Sequence, residues 1–110
     1  MLGEGPEFAL DTSRYFVVCC NYLGSVYGST CPLSPNPTSS SGERYGPHFP
    51  LISVRDNVHA QKMVLDGLGV RKVRFAIGGS MGAMLALEWA STFPDLVDQI
   101  VAIAGCAVHS

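Results

Sequence analysis

Charge of either sign is scarce in this chain of 110 residues, with seven Lys and Arg against nine Asp and Glu and a formal net charge of -2. No basic patch exists to attract nucleic acid or an anionic membrane surface. Long apolar runs are also lacking. The longest, Ile100 to Val108, covers about half of a bilayer span. The first fifteen residues hold three carboxylates and no apolar stretch, so no secretory signal is read there. Asn36-Pro37-Thr38 is excluded as a glycosylation acceptor by its central proline. The four cysteines, Cys19, Cys20, Cys31 and Cys106, match no zinc or redox spacing and are expected to be buried free thiols. No metal site is expected. A cytoplasmic location is, together with 47% hydrophobic side chains that suit at most one small globular domain.

Three apolar runs bounded by turn residues remain. Residues 15–20 are short, aromatic and β-branched, which reads as a strand buried on both faces. Strands are likewise expected over 73–77 and 99–104. Residues 81–93, rich in Ala, Leu and Met, read as a helix whose apolar residues cover most of its surface, closed by Pro94. A second helix is expected over 54–68, opened by a capping box at Ser53 and Asp56 and stopped by Gly69. Its inward face would carry Val58, Gln61, Leu65 and Leu68. The alternation of strand and helix implies an α/β fold with about three parallel strands and two crossover helices. Between the first strand and first helix, residues 21–50 hold five of the seven prolines and show no period. A loop of that length inside a compact domain is unusual and often functional.

Gly78-Gly79-Ser80-Met81-Gly82 fits G-x-S-x-G, with an apolar strand directly before it and a helix directly after. In that context the serine sits on a strained turn above the carboxyl ends of the strands, and crowding demands glycine around it. The Met81 backbone N–H would then point from a helix N-terminus to where an oxyanion forms. A phosphate-binding turn is the rival reading, but G-x-G-x-x-G or Walker spacing and a lysine are both lacking. A nucleophilic serine also needs a base and an orienting acid, and where the serine sits on such a strand-to-helix turn the chain order is Ser, acid, His. Only His109 follows Ser80, directly after the third strand, and it reads as a solvated loop histidine. Asp95 and Asp98 come too early for the triad acid. His48 and His59 precede the serine, in a loop and on a helix surface.

The order of short blocks resembles the homoserine O-acetyltransferase family. The blocks are Asp11-Thr-Ser-Arg-Tyr-Phe16, Asn21-Tyr-Leu-Gly-Ser25, Tyr27-Gly28-Ser29, Asn36-Pro37, Tyr45-Gly46, Phe49-Pro50, Arg55-Asp56 and Leu65-Asp-Gly-Leu-Gly69. The elbow, then Ala86-Leu-Glu-Trp-Ala90 and Ala104 through Ser110, continue the match. Deacetylcephalosporin C acetyltransferase, a fungal relative of that family, has very similar blocks. The resemblance implies an α/β-hydrolase fold and acetyl transfer from acetyl-CoA, as co-substrate rather than bound cofactor, to the hydroxyl of L-homoserine. It makes Ser80 the acylated nucleophile of a ping-pong route and Met81 N–H one oxyanion donor. It leaves room for a homodimer of the full-length protein. Ala83 departs from the glycine more common in the family. The resemblance further implies that an upstream strand and its oxyanion loop, the triad acid and histidine, and a lid region lie outside these 110 residues, so that this piece alone is inactive. A serine esterase of the same fold would share the elbow, and a non-catalytic remnant would share the missing triad.

Overall fold

The computed structural model describes residues 2–106. Its centre is a pair of parallel strands, β3 (Val73–Gly79) and β4 (Val97–Ile103), in register from Val73↔Val97 to Gly79↔Ile103. Helix α2 (Met81–Thr92) connects them, and α1 (Val54–Gly67) lies against α2. A tight N-terminal loop closes with two two-residue strands, β1 (Leu2–Gly3) and β2 (Leu10–Asp11), paired in parallel. Asp11 is the buried hub of that loop. One of its carboxylate oxygens accepts from Gly5 N–H, Ser13 N–H and the Ser13 hydroxyl at 2.9, 3.0 and 2.6 Å.

Helix α1 begins where its local chemistry dictates. The Ser53 hydroxyl accepts from Asp56 N–H at 3.1 Å, and Asp56 Oδ2 accepts from Ser53 N–H at 2.8 Å, a reciprocal capping box. The helix stops at Gly69, whose φ of 76° is open to glycine at little cost. Of the expected inward face, Val58 is fully buried and Gln61 and Leu65 are half-buried. Leu68, the C-cap beyond the last helical residue, is exposed instead.

Helix α2 buries Ala83, Leu85, Ala86 and Trp89. Val58, Leu85, Trp89 and Val97 form the core, with Val54, Leu65, Val73, Ala76, Phe93, Leu96 and Ile100 packed around it. Two polar contacts fix α1 on α2: Trp89 Nε1–H donates to Gln61 Oε1 at 2.9 Å, and Arg55 pairs with Glu88 at 2.5 Å.

Three expectations need correction. Residues 15–20 form no strand, and Phe16, Val17, Val18 and Cys19 are exposed rather than buried on two faces. No ladder partner reaches them among the described residues; the segment touches the sheet through Tyr15, edge-on to Phe75 with centroids 5.8 Å apart. Two parallel strands therefore make the central sheet, not three. Of the four free thiols only Cys31 is buried; Cys19 and Cys106 are exposed and Cys20 is half-buried. Residues 21–50 form a loop, as expected, with no helix or strand beyond a 3-10 turn, and the loop is braced by its own backbone hydrogen bonds. Tyr45 N–H donates to Ser34 O and Gly46 N–H to Pro32 O, at 3.1 and 2.8 Å, around a Pro35–Arg44 bridge, and a 3-10 turn spans Gly46–His48. The start of the loop is pinned to α1, where Leu23 N–H donates to Asn57 Oδ1 at 2.8 Å.

Candidate active site

The site is built at the carboxyl end of β3, where the chain turns straight into α2. Ser80 occupies the turn with φ 54° and ψ -117°, a region that L-residues other than glycine rarely adopt. Three neighbours hold it there. Its own N–H donates to Ile103 O at the end of β4, 2.9 Å away. Its carbonyl accepts from Ala83 N–H at 3.0 Å and from Met84 N–H at 3.4 Å. The strain is thus balanced by one hydrogen bond to the adjacent strand and by the first turn of the helix.

The glycines of the motif do different work. A Cβ on Gly78 would overlap the Gly82 carbonyl group, which is backbone and cannot swing aside. Gly82 is constrained by tertiary contact, since a Cβ there would come within 3.3 Å of the Tyr22 hydroxyl. Gly79 is nearly free: the nearest atom to an added Cβ is Ile103 O at 4.0 Å. The requirement at Gly78 was legible in the motif. The Tyr22 contact was not, because it comes from a loop 60 positions away in sequence.

Ser80 is exposed, and its hydroxyl makes no hydrogen bond among the described residues. The Met81 N–H, first in α2, likewise takes no backbone partner among them, as expected of a helix's opening donors. A free hydroxyl beside a free N–H at the positive end of a helix can attack an acyl carbon and hold the oxyanion that results. Such an N-terminus can hold an anion too, but no lysine or arginine contacts this turn in the described residues.

The remaining titratable candidates lie elsewhere. His59 sits on α1, edge-on to Phe93 at 5.7 Å, and His48 closes the 3-10 turn. Asp98 on β4 is committed to Lys72 and Arg74 at 2.9 and 3.3 Å, and the Lys72 ammonium chiefly holds its carboxyl below the usual carboxylate range. Asp95 lends only its backbone carbonyl, to Lys72 at 3.0 Å. His109 lies outside the described residues. Among the described residues no group of three His, Cys, Asp or Glu could hold a metal, and no helix is long and apolar enough to cross a membrane.

A strained serine between a parallel strand and a helix, flanked by glycines, has the geometry of a nucleophile elbow. The family model described as the alpha/beta hydrolase fold matches residues 4–110, and the chain belongs to that family. Within it, the chain is 55% identical to homoserine O-acetyltransferase of Moorella thermoacetica over 93% of its own length and 27% of that protein's. Among solved structures it superposes on esterase E22 with a TM-score of 0.84 at 38% identity, covering 94% of this chain and 28% of that one. Homoserine O-acetyltransferase from Bacillus anthracis gives 0.80 at 30%, covering 90% and 27%. The chain thus spans about a quarter of the length of the relatives it matches.

Proposed function

We propose that the full-length protein carrying this chain moves an acetyl group from acetyl-CoA to the hydroxyl of L-homoserine through an acyl-enzyme on Ser80. The observation that carries this reading is the 55% identity to a homoserine O-acetyltransferase across nearly the whole chain, elbow included. In the first half-reaction Ser80 Oγ attacks the thioester carbonyl and the C–S bond breaks. The hydroxyl proton leaves through a base, and coenzyme A departs as its thiol. In the second, the homoserine hydroxyl attacks the acyl carbon and the bond to Ser80 Oγ breaks, returning the proton to the serine. Met81 N–H stabilises the oxyanion in both. The base, its acid and a second oxyanion donor belong to the rest of the protein, so residues 1–110 alone are expected to turn over no acetyl-CoA.

Ser80→Ala in the full-length protein is expected to abolish burst-phase acylation and lower turnover by about three decades or more. An intact burst in that variant would remove Ser80 from the mechanism. A second reading, ester hydrolysis, is favoured by the superposition on esterase E22. The two differ only in the acceptor. Given acetyl-CoA and homoserine, a transferase forms O-acetylhomoserine faster than free acetate. Acetate as the main product would establish the esterase.

A further inference from the structure

Two non-glycine residues among those described have positive φ, and they lie at the same place. One is Ser80 at 54°; the other is Ala104 at 52°, the residue directly after β4. The Ser80 N–H to Ile103 O hydrogen bond ties the two turns together. Ala104 bends the chain so that Gly105 lies on the first turn of α2. A Cβ at Gly105 would overlap the Ala83 methyl group and come within 3.4 Å of Ser80 O and 3.5 Å of Ala83 Cα. Ala83 cannot yield by rotation, since its methyl is the Cβ itself and no χ angle moves it, and it is fully buried. Its own N–H donates to that same Ser80 carbonyl.

We infer that Gly105 is a positioning residue for Ser80, setting how deeply the turn after β4 seats on the first turn of α2 and thereby fixing the serine backbone. The inference rests on Ser80 being the nucleophile. The space at this junction is shared. Ala83 fills it with one methyl group, and Gly105 leaves it free of a second. Moving the methyl from residue 83 to residue 105 should therefore preserve the seat, whereas having it at both should not. A second methyl pushes the turn off the helix, stretches the Ser80–Ile103 hydrogen bond and tilts the hydroxyl away from Met81 N–H. A misplacement of about 1 Å at a reacting group costs on the order of a hundredfold in rate.

The test uses the full-length protein with p-nitrophenyl acetate as acyl donor, reading the acylation rate, the KM, the acetylated Ser80 peptide by mass spectrometry, and Tm. Gly105→Ala is expected to slow acylation about tenfold to a hundredfold with KM little changed. Ala83→Gly/Gly105→Ala is expected to return within about threefold of wild type. Wild-type acylation in Gly105→Ala would overturn the inference, and so would a lowered Tm that the second substitution restores without restoring the rate. Should Gly105→Ala yield no folded protein, the double variant decides alone, and a rate there below about a tenth of wild type overturns it. An unacetylated Ser80 peptide in the wild type would instead remove the nucleophile assignment itself, and this inference with it.

Discussion

Alanine substitution of the three elbow glycines should give sharply unequal losses, and the order follows from what each new methyl would meet. At Gly78 the obstacle is the Gly82 carbonyl, backbone against backbone. Overpacking against side chains costs about 1–3 kcal/mol because rotamers adjust. Here the elbow itself must open, so about 3 kcal/mol or more is expected, roughly two decades in the folded-to-unfolded ratio. Opening the elbow also releases Ser80 from its strained angles, so acylation should fall by about a hundredfold in whatever folds. At Gly79 the nearest atom is 4.0 Å away and φ is not positive. The change should be neutral or stabilising by about 0.4–1 kcal/mol through reduced freedom of the unfolded chain. Gly82 lies between these. Alanine gains about 1 kcal/mol of helix propensity over glycine, offset by a shift of a few tenths of an ångström in the Tyr22 hydroxyl. Thermal melting and burst acylation of the full-length variants would read both quantities. A Gly78→Ala protein as stable and active as Gly79→Ala would refute the close approach on which the elbow depends.

Two further outcomes follow from the packing. Trp89→Phe leaves Gln61 Oε1 without its donor at a half-buried position, so a loss of about 1–3 kcal/mol is expected in urea unfolding; adding Gln61→Leu should recover part of it, and no recovery would mean the hydrogen bond is not what the tryptophan contributes. Asp11, Asp56, Glu88 and Asp98 all titrate below their ordinary values, held down mainly by Ser13, Ser53, Arg55 and Lys72 respectively. With folded values lowered, the unfolded chain binds more protons as pH falls through the carboxylate range, so their stabilisation is present above that range and lost below it. Tm should drop between about pH 6 and pH 3; a flat or rising Tm there would refute the assignment.

The elements that were legible in the sequence are those whose determinants are local. Ser53 and Asp56 sit three residues apart, and their capping box forms as the pattern specifies. Gly78 and Gly82 act within one turn, so the elbow could be placed to the residue. Where distant partners decide, the reading slipped. Strand β4 is expected from Gln99 but begins at Val97, and its second residue, Asp98, carries a charge that its sequence neighbours Val97 and Gln99 do not offset. That charge is instead absorbed across the sheet by Lys72 and Arg74. The strand ends at Ile103 because Ala104 turns to positive φ, which no property of alanine announces. The contacts of Tyr22 with Gly82 and of Gly105 with Ala83 belong to the same class. Both came into view only when the chain was folded.

Residues 15–20 show most clearly what apolar composition does and does not specify. A run of Tyr, Phe, Val and Cys signals a segment that gains by leaving water, and a β-branched one suits an extended backbone. It carries no information about which strand will supply the other half of each hydrogen bond. A ladder is a property of a pair, and β3 is bonded along β4 alone among the described residues. The segment approaches β3 closely enough for Tyr15 to meet Phe75, yet no backbone pairing forms. The exposed faces of Phe16, Val17 and Val18 go with that lack of a ladder partner among the described residues: apolar composition favours burial, and pairing alone makes a strand.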